Sequence, residues 1–313
     1  MLVIQMDRVG ASFTIGTTRI DEAGPAWVIA ELSGNHGGSV DQACRLIQMA
    51  GACGASAVKL VKRTNQTLYT CALLAQPYHS EHAYGPTYGT HREALEFGRD
   101  AYLQCREVAD LHHLTLFATA YDEAALEFLV ELDMPAIKIH SGGLTDEPLL
   151  RAAAQTGRPL LVSTGGGTVA DMDRAHTLLQ HSPHAFLHCT AAYPLLPQEA
   201  NLRTIMTMRR RYPDTVIGFS SHSPGIMCSL VAYAFGARII EHHITLNRAS
   251  KGSDQAFSLE RKGLQTLVED LGKLRLALGD GIKCFYESER APIAKMRRHQ
   301  TAEGWRIDGE CLS

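Results

Sequence analysis

From residue 27 onward the chain alternates short runs of apolar, β-branched residues with longer segments whose apolar positions recur at helical spacing. This alternation is the mark of βαβ units around a parallel sheet. Eight strands are predicted, at 27–32, 57–61, 115–119, 136–141, 160–164, 186–190, 216–220 and 238–243, each followed by a helical segment. Eight parallel strands suggest an α/β chain closed into a (β/α)₈ TIM barrel rather than an open sheet.

Helix ends are readable where caps and period agree. Ser39 with Gln42 three residues on predicts a capping box, after which Ala43, Leu46, Ile47 and Ala50 share one face and Gly51 and Gly54 bracket the end. The last helix of the repeat is predicted to start after Ser258, to carry its apolar stripe through Leu264, Leu267, Val268, Leu271, Leu274 and Leu278, and to stop at Gly279.

Three stretches fall outside the repeat. Residues 1–26 are expected to form a hairpin, from the alternation of Val3, Gln5 and Asp7 and the run 12–20, that caps the barrel floor. The catalytic barrel is assigned to 27–279, and 280–313 is a tail too short for an unstapled second domain. The insertion 65–89 is rich in Tyr, His, Gly and Pro, and a loop this long after a barrel strand is more often functional than idle.

Composition narrows the classes. With 45% hydrophobic and 20% charged residues, the 313-residue chain can bury a sizeable core. A formal charge of −3 gives no basic excess for nucleic-acid binding, and no Lys/Arg run offers a membrane-surface patch. Asp7 and Arg8 interrupt the region where a signal peptide needs an apolar core, and no apolar stretch is long enough to span a membrane. The eight cysteines form no CxxC pair, so a soluble protein of the reducing cytoplasm is expected.

Strand ends of such a barrel converge on one mouth, and here they are polar: Glu31, Lys59, Lys62-Arg63, Thr119, Lys138, His140, Ser141, Ser163, His188, Thr190, Ser220, Ser221, His222, Glu241, His242 and His243. Lys59 and Lys138 interrupt otherwise apolar strands, where an ammonium needs an anion. Three readings stand: an ion pair with Glu31 or Glu241, a phosphate or carboxylate ligand, or a lysine that forms a Schiff base. His222 and His243 close successive strands and can share one cation, with Glu241 as a further ligand or a base; N/O donors suit Mn²⁺, Mg²⁺ or Zn²⁺. The run Ser163-Thr164-Gly165-Gly166-Gly167 either holds a phosphate or makes a tight turn.

As a set, these segments resemble the sialic acid (N-acetylneuraminate) synthase family. The resemblance rests on Ile29-Ala30-Glu31-Leu32 with Gly34-Asn35-His36, Ala57-Val58-Lys59-Leu60, Lys138-Ile139 with Ser141-Gly142, and Ser163-Thr164-Gly165-Gly166. It continues through His188-Cys189-Thr190 with Tyr193-Pro194, Gly218-Phe219-Ser220 with His222, Glu241 with His243-Ile244-Thr245-Leu246, and Gly252-Ser253-Asp254. It implies condensation of phosphoenolpyruvate with an aldose-type aldehyde to a 2-keto-3-deoxy sugar acid, with release of phosphate. It further implies that Lys59, Thr119, Lys138, Ser141, Ser163 and Ser220 hold phosphoenolpyruvate and that Asn35 belongs to the substrate-binding set. Glu31, Glu241, Tyr193 and Asp254 would then face the reacting carbons and the sugar, His222 and His243 would bind Mn²⁺ or Mg²⁺, and the protein would be a homodimer.

Four positions depart from the family pattern: Gly143, where an acid is typical, Ala191, Ser221 in place of Asp, and Gln255 in place of a frequent His. The family's C-terminal antifreeze-like domain is not expected in the short polar stretch that follows Gly281. The expectation is therefore an intact donor half and a rebuilt acceptor half: either the acceptor differs from N-acetylmannosamine, or the 65–89 insertion holds it through its Tyr88-Gly89-Thr90-His91-Arg92-Glu93 end. Two other readings remain at this stage: a Schiff-base pyruvate lyase on Lys59 or Lys138, and a non-catalytic phosphosugar binder.

Overall fold

A computed structural model describes residues 10–307. The chain divides into two compact units, Met1–Arg275 and Leu276–Ser313.

The first unit opens with an antiparallel hairpin, β1 (Ser12–Ile15) and β2 (Thr18–Asp21), turned at Gly16 with φ 57°. The run 12–20, expected as one arm, supplies both arms, because Gly16 can take the left-handed conformation a tight turn requires. Val3, Gln5 and Asp7 lie outside the described residues. Next come β3 (Trp27–Glu31), α1 (Val40–Ala52), β4 (Ala57–Lys62), and three short helices α2 (Asn65–Leu68), α3 (Cys71–Leu74) and α4 (Tyr88–Glu93). They are followed by α5 (Arg99–Leu111), β5 (Thr115–Ala120), α6 (Glu123–Glu131), β6 (Ile137–Ile139), α7 (Glu147–Gln155), β7 (Leu160–Ser163) and α8 (Val169–Leu179). The unit is completed by β8 (His184–His188), α9 (Thr204–Arg211), β9 (Val216–Ser221), α10 (Met227–Ala234) and β10 (Ile239–His243). β3 through β10 form a closed parallel barrel in sequence order, with β10 pairing back onto β3.

Side chains alternate between two apolar clusters. Val28, Ala30, Val58, Leu60, Ile137, Ile139, Ile217 and Ile240 point outward and pack under the helices. Trp27, Ile29, Ala57, Phe117, Leu161, Leu187 and Ile239 point inward and share one cluster with Phe13, Ile15 and Ile20 of the hairpin. The hairpin thus closes the barrel floor, where Trp27 and Phe117 stack with centroids 5.8 Å apart.

Local chemistry accounts for the shifts in predicted ends. β6 stops before His140, whose imidazole accepts a hydrogen bond from Gly142 N (3.1 Å) and caps a 3₁₀ turn, Ser141–Thr145. Ser39 caps α1 by accepting from Gln42 N (3.2 Å), but the box is only half made, since the Gln42 amide donates to Asn35 O (2.5 Å). The last helix, α11 (Arg261–Leu278), ends as expected before Gly279, which has φ 59°. The second unit carries a 3₁₀ turn (Glu287–Glu289), α12 (Arg290–Ala294) and an antiparallel pair, β11 (His299–Thr301) with β12 (Gly304–Arg306). No helix among the described residues is long and apolar enough to cross a membrane.

Phe117 is fully buried inside the barrel floor, and Phe117→Ala is expected to destabilise the protein by about 3–5 kcal/mol. Urea unfolding followed by circular dichroism checks this, and an unchanged midpoint would contradict the plugged-floor packing.

Candidate active site

Above the apolar floor the inward positions turn polar. Continuing the alternation from Ile29, Ala57, Phe117, Leu161 and Ile239 brings Glu31, Lys59, Thr119, Ser163 and Glu241 into the barrel mouth. They line a cavity of about 350 Å³ together with Lys138, Ser141, Tyr193, Ser220, His222, His243 and Asp254.

At its base, four buried ionisable groups meet. Lys59 Nζ is in ion contact with Glu31, donates to Thr119 Oγ1 (2.7 Å) and lies 3.9 Å from Glu241 Oε2. Lys138 Nζ lies 3.2 Å from Glu241 Oε1, which also accepts from Ser220 Oγ (2.8 Å). The ion-pair reading is therefore realised for both lysines, Lys59 with both glutamates and Lys138 with Glu241. The two carboxyls differ in electrostatics. Burial pushes Glu31 up to about 7 against the pull of Lys59. Glu241 is subject to the same burial, but Lys138 and Lys59 hold it down to about 2. Burial lowers Lys138, only partly opposed by Glu241, whereas Lys59, with two carboxylates, is raised despite its burial.

On the adjoining wall, His222 Nδ1 bonds Thr190 O (2.7 Å), which fixes Nδ1 as the donor and leaves Nε2 with its lone pair. The His222 and His243 rings lie 5.5 Å apart, and His243 Nδ1 is buried without a hydrogen-bond partner, 3.7 Å from Asp254 Oδ2. Burial keeps both imidazoles neutral, His243 down to about 3. Asp254 accepts from Ser33 Oγ (2.7 Å) and Ser253 Oγ (2.8 Å). Tyr193 packs on His222 at 4.1 Å between centroids and is half exposed.

Residues 46–283 match the model of the NeuB family, a stretch that holds every cavity residue from Lys59 to Asp254. The chain belongs to the NeuB family. It is 37% identical over 281 residues to N-acetylneuraminate-9-phosphate synthase of Homo sapiens, covering 89% of this chain and 78% of that one. Pseudaminic acid synthase of Campylobacter jejuni is 30% identical over 263 residues, covering 82% of this chain and 75% of that one. The solved N-acetylneuraminic acid synthetase of Leptospira borgpetersenii, in complex with citrate, matches with a TM-score of 0.77 at 32% identity, over 91% of this chain and 95% of that one. The resemblance carried by the motifs is thus a family membership, and the chain is an enzyme of the sialic acid synthase type.

Several expected positions lie elsewhere in this NeuB barrel. Asn35 does not line the cavity: its amide donates to Ile244 O and Ser258 Oγ (both 2.9 Å) and ties the β3 loop to the β10 loop. His188 faces out of the barrel and bonds Ala200 O (2.8 Å), and His242 lies beside Gly225 O (3.1 Å). None of the four departures from the family pattern lines the cavity. Ser221 faces outward and pairs with Ser223, Gln255 contacts Thr245 and Asn35, and Gly143 abuts Ile139. Of the glycine run only Ser163 lines the cavity. Gly166 has φ 72°, and a Cβ on Gly167 would lie 2.2 Å from Leu144 Cδ2, so the turn reading accounts for the glycines.

Tyr121, Tyr78 and Leu95 line the cavity without having been singled out from the sequence. Tyr121 stacks on His140 (3.8 Å) and lies 4.1 Å from the Arg63 guanidinium; its position two past Thr119 would have placed it in the mouth by parity. Tyr78 comes from the insertion, where no period exists to read. Arg92 and His91, just past the insertion, also line the cavity.

Removing one member of the buried ion cluster strands its partner. Glu241→Leu is expected to destabilise by about 3–5 kcal/mol, and adding Lys138→Met should recover part of that loss. Chemical unfolding of the single and double variants checks it; strict additivity would show that the two groups do not interact.

Proposed function

We propose that the protein condenses phosphoenolpyruvate with an aldose-type aldehyde, forming a 2-keto-3-deoxy sugar acid and releasing phosphate. The observation that carries this reading is the pair of buried ammoniums, Lys59 and Lys138, set among the hydroxyls of Thr119, Ser141, Ser163 and Ser220 in a cavity that also holds the carboxyls of Glu31, Glu241 and Asp254 and the neutral imidazoles of His222 and His243. Two cations and four hydroxyls suit a small ligand that carries both phosphate and carboxylate.

Each group then has a defined task. Lys59 and Lys138 hold the donor's oxyanions, and the hydroxyls orient them. C3 of phosphoenolpyruvate bonds to the aldehyde carbon, water adds at C2, and the tetrahedral intermediate collapses with loss of phosphate. Glu31, raised toward neutrality, takes the proton of the attacking water, while Glu241, held ionised, keeps both lysines in place. Asp254, oriented by Ser33 and Ser253, accepts hydrogen bonds from the sugar hydroxyls, and Tyr193 covers the site. The free Nε2 of His222 and the unpartnered Nδ1 of His243 fit a Mn²⁺ or Mg²⁺ ion, although no group of three His, Cys, Asp or Glu close enough to hold a metal occurs among the described residues. Such an ion, held by His222 and His243, would polarise the aldehyde oxygen.

Lys138 gives the lyase reading its one foothold, because burial lowers its ammonium as Schiff-base chemistry requires. Borohydride in the presence of pyruvate should leave the condensing enzyme active; inactivation with a mass increase on Lys138 would favour the lyase.

The decisive measurement is phosphate release from phosphoenolpyruvate with Mn²⁺ across free and N-acylated aldoses. Turnover is expected to fall to background on chelation and on His243→Ala, and release that survives chelation would refute the metal role. As pH falls through about 7, Glu31 becomes protonated and loses its capacity as a base. The acid limb of kcat/KM should therefore lie near that pH and disappear in Glu31→Gln.

A further inference from the structure

Away from the cavity, a second pair of imidazoles is in direct contact. His184 opens β8, at the end of the strand remote from the barrel mouth, and has the parity of Phe186, so it points outward beneath the helices. His176, on α8, reaches back to meet it: His176 Nδ1 and His184 Nε2 lie 3.1 Å apart, with the ring centroids at 5.2 Å. Neither side chain is fully buried.

Both rings are held in place. His184 Nδ1 donates to Ser182 O (2.9 Å), since a carbonyl oxygen can only accept, and this leaves the lone pair of Nε2 facing His176. Burial lowers His184 and keeps it neutral. His176 packs on the Tyr212 ring, with centroids 5.0 Å apart, and Tyr212 is fixed in turn because its Oη donates to Asp173 Oδ1 (2.8 Å). Asp173 also accepts from Arg211 Nε (2.7 Å), so its carboxylate is committed elsewhere. Two nitrogens bound to one metal ion at about 2.0–2.1 Å lie roughly 2.8–3.4 Å apart for angles between square and tetrahedral. The observed separation of 3.1 Å falls within that range. A change of tautomer moves the His176 proton from Nδ1 to Nε2 and turns the hydrogen bond into two convergent lone pairs. The bond to Ser182 O is the kind of outer contact that orients a ligating imidazole.

We propose that His176 and His184 form a two-imidazole site for one divalent transition-metal ion of the Zn²⁺ or Ni²⁺ class, which ties α8 to the first residue of β8. The site is separate from His222 and His243, which stand at the opposite ends of the barrel strands, and it does not depend on the condensing reaction. Imidazole donors select Zn²⁺ and Ni²⁺ over Mn²⁺ and Mg²⁺, which favour oxygen. Among the described residues no third His, Cys, Asp or Glu joins the pair, so the site has two protein ligands. An ion bound there stabilises the folded chain, because the unfolded chain does not hold the two rings together.

The test uses full-length chain stripped of metal by chelation, with His222→Ala and His243→Ala in the parent so that the cavity pair does not contribute. Calorimetric titration of this parent with Ni²⁺ at neutral pH is expected to show an ion bound one per chain, with Mn²⁺ at least about tenfold weaker. Loss of even an outer partner of a metal ligand costs about 10- to 100-fold in affinity, so adding His176→Ala should weaken that Ni²⁺ binding by at least as much. A parent that binds no Ni²⁺ overturns the inference, and so does Ni²⁺ binding that is unchanged in His176→Ala. The wild-type chain gives a second readout that needs no variant to fold: carbethoxylation of His176, followed by peptide mass analysis. Ni²⁺ is expected to protect His176 from labelling where Mg²⁺ does not, and equal labelling with and without Ni²⁺ overturns the inference.

Discussion

Closing eight parallel strands into a ring forces every second side chain of each strand into a space that other side chains must fill. At the floor that demand is met by Trp27, Phe117 and the hairpin residues Phe13, Ile15 and Ile20. At the mouth the same inward rows carry ionised groups, and there the demand becomes electrostatic. Lys59, Lys138, Glu31 and Glu241 are all buried, so each charge is tolerable only while the others are present. Such a cluster is a poor source of net stability, since apolar residues of the same volume would serve the fold as well. It makes sense as a preorganised receptor for an anionic ligand.

The geometry of that cluster assigns different behaviour to like residues. Glu241 lies between two ammoniums and stays ionised, whereas Glu31 touches one ammonium, faces a second carboxylate and is pushed toward neutrality. An anion bound at Lys59 competes with Glu31 for the same ammonium and so raises the carboxyl further. Occupancy of such an anion and the basicity of Glu31 would thereby be linked through one lysine, without any movement of the backbone.

The barrel was legible because strand and helix periods alternate through residues 27–278 on either side of the 65–95 segment, and the charged cavity residues were legible because charged side chains in apolar strands are conspicuous. What proximity to a strand end does not reveal is the face. His188, Ser221 and His242 each sit one position from an inward residue and point the other way, so a list of strand-end residues included them while the period-two rule excludes them. The same rule, applied past Thr119, includes Tyr121. Asn35 failed for a different reason. It follows a strand, but its amide is consumed by Ile244 O and Ser258 Oγ, a tertiary tie with no local signature. The insertion had no period at all; its short helices are set by side-chain caps, such as Thr87 and Thr90 at the start of α4, and by packing among Tyr69, Tyr78, Tyr88 and His91.

This difference in legibility follows a division of labour in the site. Groups that would act on the donor stand on strands whose positions are fixed by the barrel's hydrogen-bond ladder. Groups on the opposite rim stand on the 65–95 segment and the β10–α11 loop, joined to each other by Tyr84 Oη to Lys251 O (2.7 Å) and by Gly252 N to His82 Nδ1 (3.3 Å). The second of these segments also carries Asp254, so any group that settles against the insertion bears on the carboxylate beside His243. Strand ends tolerate little change, because one substitution there unbalances the buried charges. Loop residues can be exchanged without touching that balance. The four departures from the family pattern lie outside the cavity wall, whereas the 65–95 segment brings Tyr78, His91 and Arg92 to it, so exchange of loop residues alters the cavity lining where exchange at those four positions does not.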